Sequence, residues 1–244
     1  MIGAGSLEYA HARLAARWGR RADEALWRRV ETTRDLSAVL DLVRASALAP
    51  WVEGLTPGAG VHAIEAALGR RWRSHVDEVA AWMPPAWHAA VTWCAVLAEL
   101  PLALHLARGG TPPAGRPRDD AAASRPAAAA QRRALVDAAA GGPAALWAAW
   151  CAHWQRVRPA ATADPHEPAL LALLRRHGAD FAAPGADGWA LRRALQQRLV
   201  ALRRRAIAEP SMAFIELVLA ALEGERLRGE LVRRAAFPQR AVAA

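Results

Sequence analysis

Residues 57–81 read "PGAGVHAIEAALGRRWRSHVDEVAA". Val61, Ile64, Leu68, Trp72, Val76 and Val79 recur every three or four positions, so they fall on one stripe of an α-helix. A half-buried strand would alternate in twos, and this stretch does not. "MPP" at 83–85 stops the helix and starts another, because Pro suits a first helical turn and breaks an interior.

The wording returns. Residues 184–198 read "PGADGWALRRALQQR", and at a shift of 127 Pro57 meets Pro184, Ile64 meets Leu191, Leu68 meets Leu195 and Arg71 meets Arg198. "LDLVR" at 40–44 corresponds to "LALLR" at 171–175, while Pro84, Glu99 and Arg108 meet Pro210, Glu225 and Arg234 at a shift of 126. His62 and Glu65 become Trp189 and Arg192, so the repeated part is the turn and the apolar face, not a polar pair. The pattern predicts two copies of one helical unit.

The same periodicity runs along the rest of the chain and predicts an all-α fold. Expected helices are 7–30 after Ser6, one after Asp35, 61–81, and 84–108 with a kink at Pro101. Further helices are expected near 131–140, 144–157, 167–177, 187–208 and 211–235. Trp147, Trp150 and Trp154 share one face and are expected in the core, as is the Trp189/Leu191/Leu195/Leu199/Leu202 face. The domain reading is 1–108 as a first unit, 109–130 as a Pro/Gly/Ala-rich linker or mobile loop, and 131–244 as a second unit, in one compact body.

All 32 basic residues are Arg, with no Lys or Asn, as a GC-rich genome would write them. The net charge of +9 is uneven: residues 111–244 hold 20 Arg against 12 acids. The second half therefore offers a basic surface to an acidic partner. Cys94 and Cys151 sit alone in apolar runs and read as reduced, buried thiols. No secretory leader is expected, and the apolar runs fall short of the ~20 residues that cross a bilayer, so no span is expected.

Sites for chemistry are not found by their spacing. Without Lys there is no P-loop lysine, and Cys151 with His153 lacks a second pair of zinc ligands. Asp164, His166 and Glu167 lie in a Pro-flanked turn where helix capping suffices; Asp119/Asp120 read as solvated, and His105 as a core histidine. The expectation is no catalytic, metal or cofactor site. The basic helix with Arg192, Arg193, Arg198, Arg203, Arg204 and Arg205 is either a solvated face or a docking surface. No nucleic-acid motif accompanies it.

Several stretches resemble one family, the C subunit of V/A-type ATPases, related to subunit d of the vacuolar enzyme. They are "YAHARLAARWGR", "DLSAVLDLVRASALAPWVEGL", "HAIEAAL", "PPAWHAAVTWCAVLAELPLALHLAR" and "PSMAFIELVLAALEGERLRGELVRR". Glu99 stands for the family's late acid, Arg108 for its terminal Arg, and Glu223 and Glu225 for an acid-x-acid pair; Leu102 replaces an Asn. The resemblance implies a funnel-like, pseudo-symmetric helical body without catalysis. Such a rotor part seats the central stalk on one side and rests on the proteolipid ring on the other, cytoplasmic and peripheral to the membrane. The partner-binding candidates are then Arg192, Arg193, Arg203, Arg204, Glu99, Arg108, Glu223 and Glu225. The other reading is a helical-repeat adaptor for an acidic partner.

Overall fold

The computed structural model describes residues 6–111, 126–160 and 164–237. The middle of the expected linker, including Asp119 and Asp120, lies outside the described residues. Among the described residues every regular element is a helix. Ser6 Oγ accepts from Tyr9 N at 3.2 Å and caps α1 (Leu7–Trp18). The single helix expected over 7–30 is in fact two. Gly19, a poor helix former, follows α1, and Asp23 starts α2 (Glu24–Thr32) by accepting from Leu26 N at 2.7 Å. Asp35 does the same for α3 (Leu36–Arg44), with Ala38 N at 3.0 Å.

The apolar stripe of 61–79 becomes one face of α4 (Val61–Trp82), with Ile64, Leu68, Trp72, Val76 and Val79 all buried. The run after it is broken more than a kink: a 3-10 turn Pro85–Trp87, α5 (His88–Trp93), a second 3-10 turn Cys94–Glu99, and α6 (Leu100–Ala107). Pro101 has no N–H for the Leu97 carbonyl, so regular α-helix cannot continue through it. Pro85–Ala107 is nonetheless long and apolar enough to cross a membrane by length and composition, which corrects the expectation of no such stretch. Its Trp87, Val91, Trp93, Cys94 and Ala103 are buried.

Helix α7 (Pro126–Ala139) starts inside what the sequence reading assigned to the linker; "PAAAAQ" lacks large apolar residues but is rich in the best helix former. α8 (Pro143–Val157), α9 (Glu167–Ala182), α10 (Gly188–Arg203) and α11 (Ser211–Ala236) follow. The two PGA turns differ in backbone. Gly185 is left-handed at φ 75°, and Asp187 then caps α10 by accepting from Trp189 N and Ala190 N, both at 3.0 Å. In the first copy the left-handed glycine is Gly54, and the place of Asp187 is taken by Gly60.

Contacts cluster into two units that do not follow the expected division at 109–130. Unit one holds Met1–His11 and Val76–Leu217; unit two holds Ala12–His75 and Val218–Ala244. The boundaries fall inside α1, α4 and α11, because a long helix presents different turns to different neighbours, something a linear division cannot express.

Unit one is built on tryptophans from α5 and α8. Trp93 Nε1 donates to the Trp150 carbonyl at 3.1 Å, and Trp147 stacks on Trp150 at 5.1 Å between centroids. Trp154 and Phe214 form a T-shaped pair, 5.0 Å between centroids, an arrangement favoured by the ring quadrupoles. Asp164 caps two helix starts: its Oδ1 accepts from His166 N at 2.8 Å and its Oδ2 from Ser211 N at 2.6 Å.

Unit two is knit by α11. Trp51 lies against Gly224, where an added Cβ would stand 2.9 Å from the indole, and stacks with His75 at 6.3 Å. Arg234, 4% exposed, donates to the carbonyls of Val30 (2.6 Å) and Thr33 and pairs with Glu230 at 2.6 Å. The last carbonyls of α2, which no helical N–H can reach, are satisfied by this guanidinium.

Candidate functional site

The acids singled out in the sequence are engaged by arginines, Glu99 and Glu223 across segments and Glu225 within its own helix. Glu99 accepts from Arg132 at 2.9 Å within unit one. In unit two Glu223 pairs with Arg21 at 3.6 Å and Glu225 with Arg228 at 3.7 Å. Arg228 also reaches Glu65 at 2.7 Å, so Glu65 is used across helices and not by its neighbour His62. Arg226 takes both Glu24 (2.9 Å) and Glu31 (2.7 Å) while lying 4.5 Å over the Trp27 ring. The candidate Arg108 is exposed at the end of α6.

The basic helix α10 separates into two kinds of arginine. Arg203 turns inward to pair with Glu216, which is 5% exposed, so it is a structural cation and not an outward one. Arg193 and Arg198 on the helix, and Arg204 and Arg205 just past its end, are exposed and make no ion pair among the described residues. Arg192 lies 4.9 Å over Phe181 and 5.4 Å over Trp189.

Those two rings are what sequence reasoning missed. Leu195, Leu199 and Leu202 are buried as expected of the α10 apolar face, but Trp189 is 45% exposed and Phe181 42%. Both are at the turn joining α9 to α10, where the apolar stripe outruns the core. Gly188 permits the arrangement: a Cβ there would stand 3.1 Å from the Phe181 ring. His177, one turn before Phe181, lies tilted against it at 5.7 Å between centroids, and burial together with Arg192 holds its pKa below the usual imidazole range. Asp180 bonds outward to Arg176 at 3.6 Å.

The remaining sequence candidates are structural. His153 lies on Trp93 at 4.0 Å and meets Arg156 at 3.1 Å; burial, then Arg156, pushes its pKa down. His105, expected in the core, is exposed and bonds the Thr111 carbonyl at 3.0 Å. Glu167 pairs with Arg158 at 3.3 Å, and burial pushes its pKa up. Burial raises the Cys94 thiol strongly, and moves half-exposed Cys151 to about 11. Neither thiol is a nucleophile near neutral pH.

A cleft of about 130 Å³ in unit two is lined by Glu31, Thr33, Arg34, Arg233, Arg234 and Phe237. It is small beside ligand pockets of roughly 300–1,000 Å³. No group of three or more His, Cys, Asp or Glu placed to hold a metal occurs among the described residues. The best-formed outward feature is therefore the aromatic and basic tip of α9–α10.

No protein-family model, curated protein or solved structure matches this chain.

Proposed function

We propose that the chain is a non-catalytic coupling subunit of a V/A-type ATPase, binding the central stalk and the proteolipid ring so that torque passes between them. The observation that carries this reading is the division of charge. Of the acids at the positions that resemble the family's, Glu99 and Glu223 tie separate segments together and Glu225 pairs within α11, while exposed arginines of α10 face outward. A torque-bearing part needs braced helices and a surface that recognises partners. The helical segments quoted above support the same reading, and the two-copy pattern in the sequence belongs to it as a pseudo-symmetric, funnel-like body. Its place would be the cytoplasmic side of the membrane, reached through the complex.

A second reading, a helical adaptor for an acidic partner, is favoured by the exposed tip of α9–α10 alone. Affinity purification of the full-length tagged chain from the organism that encodes it separates the two. Stalk and proteolipid-ring subunits co-purify under the first reading. A reproducible partner from any other assembly, with stalk and ring absent, replaces it with the second.

A further inference from the structure

From Leu171 to Ala194 no residue is buried, although the stretch spans most of α9, the turn and the start of α10. Leu170, Leu174, His177 and Phe181 follow one face of α9 at helical spacing, running from a buried leucine to a ring that is 42% exposed. Trp189 continues that apolar surface from α10, and Arg192 lies over both rings. The tip contributes little to the core, yet it carries two large aromatics and a stacked guanidinium. Trp and Arg are the residues enriched in the energetic centres of protein interfaces.

Charge names the occupant. Residues 167–205 contain eight Arg against Glu167, Asp180 and Asp187. All three acids are engaged: Glu167 by Arg158, Asp180 by Arg176, and Asp187 by the α10 amides. Arg193, one turn along α10 from Trp189, is exposed. Stacking holds Arg192 in place before a partner arrives, so a carboxylate meets a positioned fork and less entropy is lost on binding.

We propose that the α9–α10 tip is a docking site for an acidic, amphipathic segment of a partner protein, its apolar residues on Phe181 and Trp189 and its carboxylates on Arg192 and Arg193. A duplex would use the arginines but leave the half-exposed leucines and rings without a matching surface. The inference rests on the protein-binding part of the function proposed above, not on the identity of the assembly.

The test places a photo-cross-linker beside the rings in the full chain, Ala190→p-benzoylphenylalanine, expressed in its own cells. Ala190 is exposed and its side chain makes none of the contacts described, while its backbone N–H keeps its bond to Asp187. Mass spectrometry should find the cross-link on a protein segment with more Asp and Glu than Lys and Arg. Its yield should fall roughly tenfold or more when Phe181→Ala and Trp189→Ala are added, with the thermal midpoint unchanged. It should also fall as salt rises. A neutral or basic segment, lipid, nucleic acid, no cross-link, or a yield indifferent to the double substitution overturns the proposal. An acidic segment from outside a rotary ATPase upholds it while removing the coupling reading. Co-purification with stalk and ring without a cross-link here does the reverse.

Discussion

The two ends of the arginine inventory use the same side chain in opposite ways. On α11 in unit two, Arg226, Arg228 and Arg234 are consumed by Glu24, Glu31, Glu65 and the carbonyls ending α2. On the α9–α10 tip in unit one, Arg192 is stacked on half-exposed rings, and Arg193 and Arg198 face outward. Residue type and sequence spacing do not distinguish the two sets. What distinguishes them is whether the helix carrying the cation has a neighbour with orphaned acceptors, and that decides whether an arginine contributes stability or recognition.

The comparison breaks first at Arg234. Arg234→Met should lower unfolding stability by about 3 kcal/mol, because it strands buried carbonyls and the Glu230 carboxylate, which is 13% exposed on its side chain. Urea unfolding monitored by helical circular dichroism reads this directly, and a loss under about 1 kcal/mol would place Arg234 with the outward set.

Gly224→Ala comes next. A helical Gly→Ala change would ordinarily gain about 1 kcal/mol, yet here the new Cβ meets the Trp51 ring at 2.9 Å. The ring is 7% exposed and stacked on His75, so it has little room to move, and a net loss of about 1–2 kcal/mol is expected in the same assay.

How legible these roles are in the sequence follows from what each depends on. Helicity, the α4 stripe and the caps at Ser6 and Asp35 follow from local chemistry and are readable there. The start of α7 is hidden because an Ala-rich helix carries few of the large apolar residues whose spacing marks a helix. Trp189 has the helical phase of a core residue, but phase does not show that the hairpin extends beyond the core. Arg203 and Arg204 are adjacent in sequence, and only the position of Glu216 turns one inward. The matched PGA words conceal unlike backbones, since a left-handed glycine and an Asp cap occur in the second turn and neither at the aligned positions of the first.

At the tip the expected stability effects are small, which sharpens the contrast. Trp189→Ala or Phe181→Ala should change unfolding free energy by no more than about 0.5 kcal/mol while weakening partner binding. A large loss would make these rings core residues after all.

Lowering the pH separates the regions more finely. His177 and His153 have pKa values below the ordinary imidazole value, so the unfolded chain binds protons first. Stability is fully present above about 6.5 and declines as pH falls through the folded-state values. His177→Gln should flatten part of that decline, measured as the thermal midpoint against pH. The smallest response is at the cysteines: at pH 8, with Cys151 near 11, alkylation by iodoacetamide should be slow for Cys151 and undetectable for buried Cys94 until the chain unfolds.

The coupling claim is tested most directly by deleting the gene in its own organism and assaying membrane preparations. ATP hydrolysis by the catalytic head should survive, ATP-driven ion transport should be lost, and supplying the chain should restore it. Ion transport at the undeleted level without the chain would rule out the coupling role.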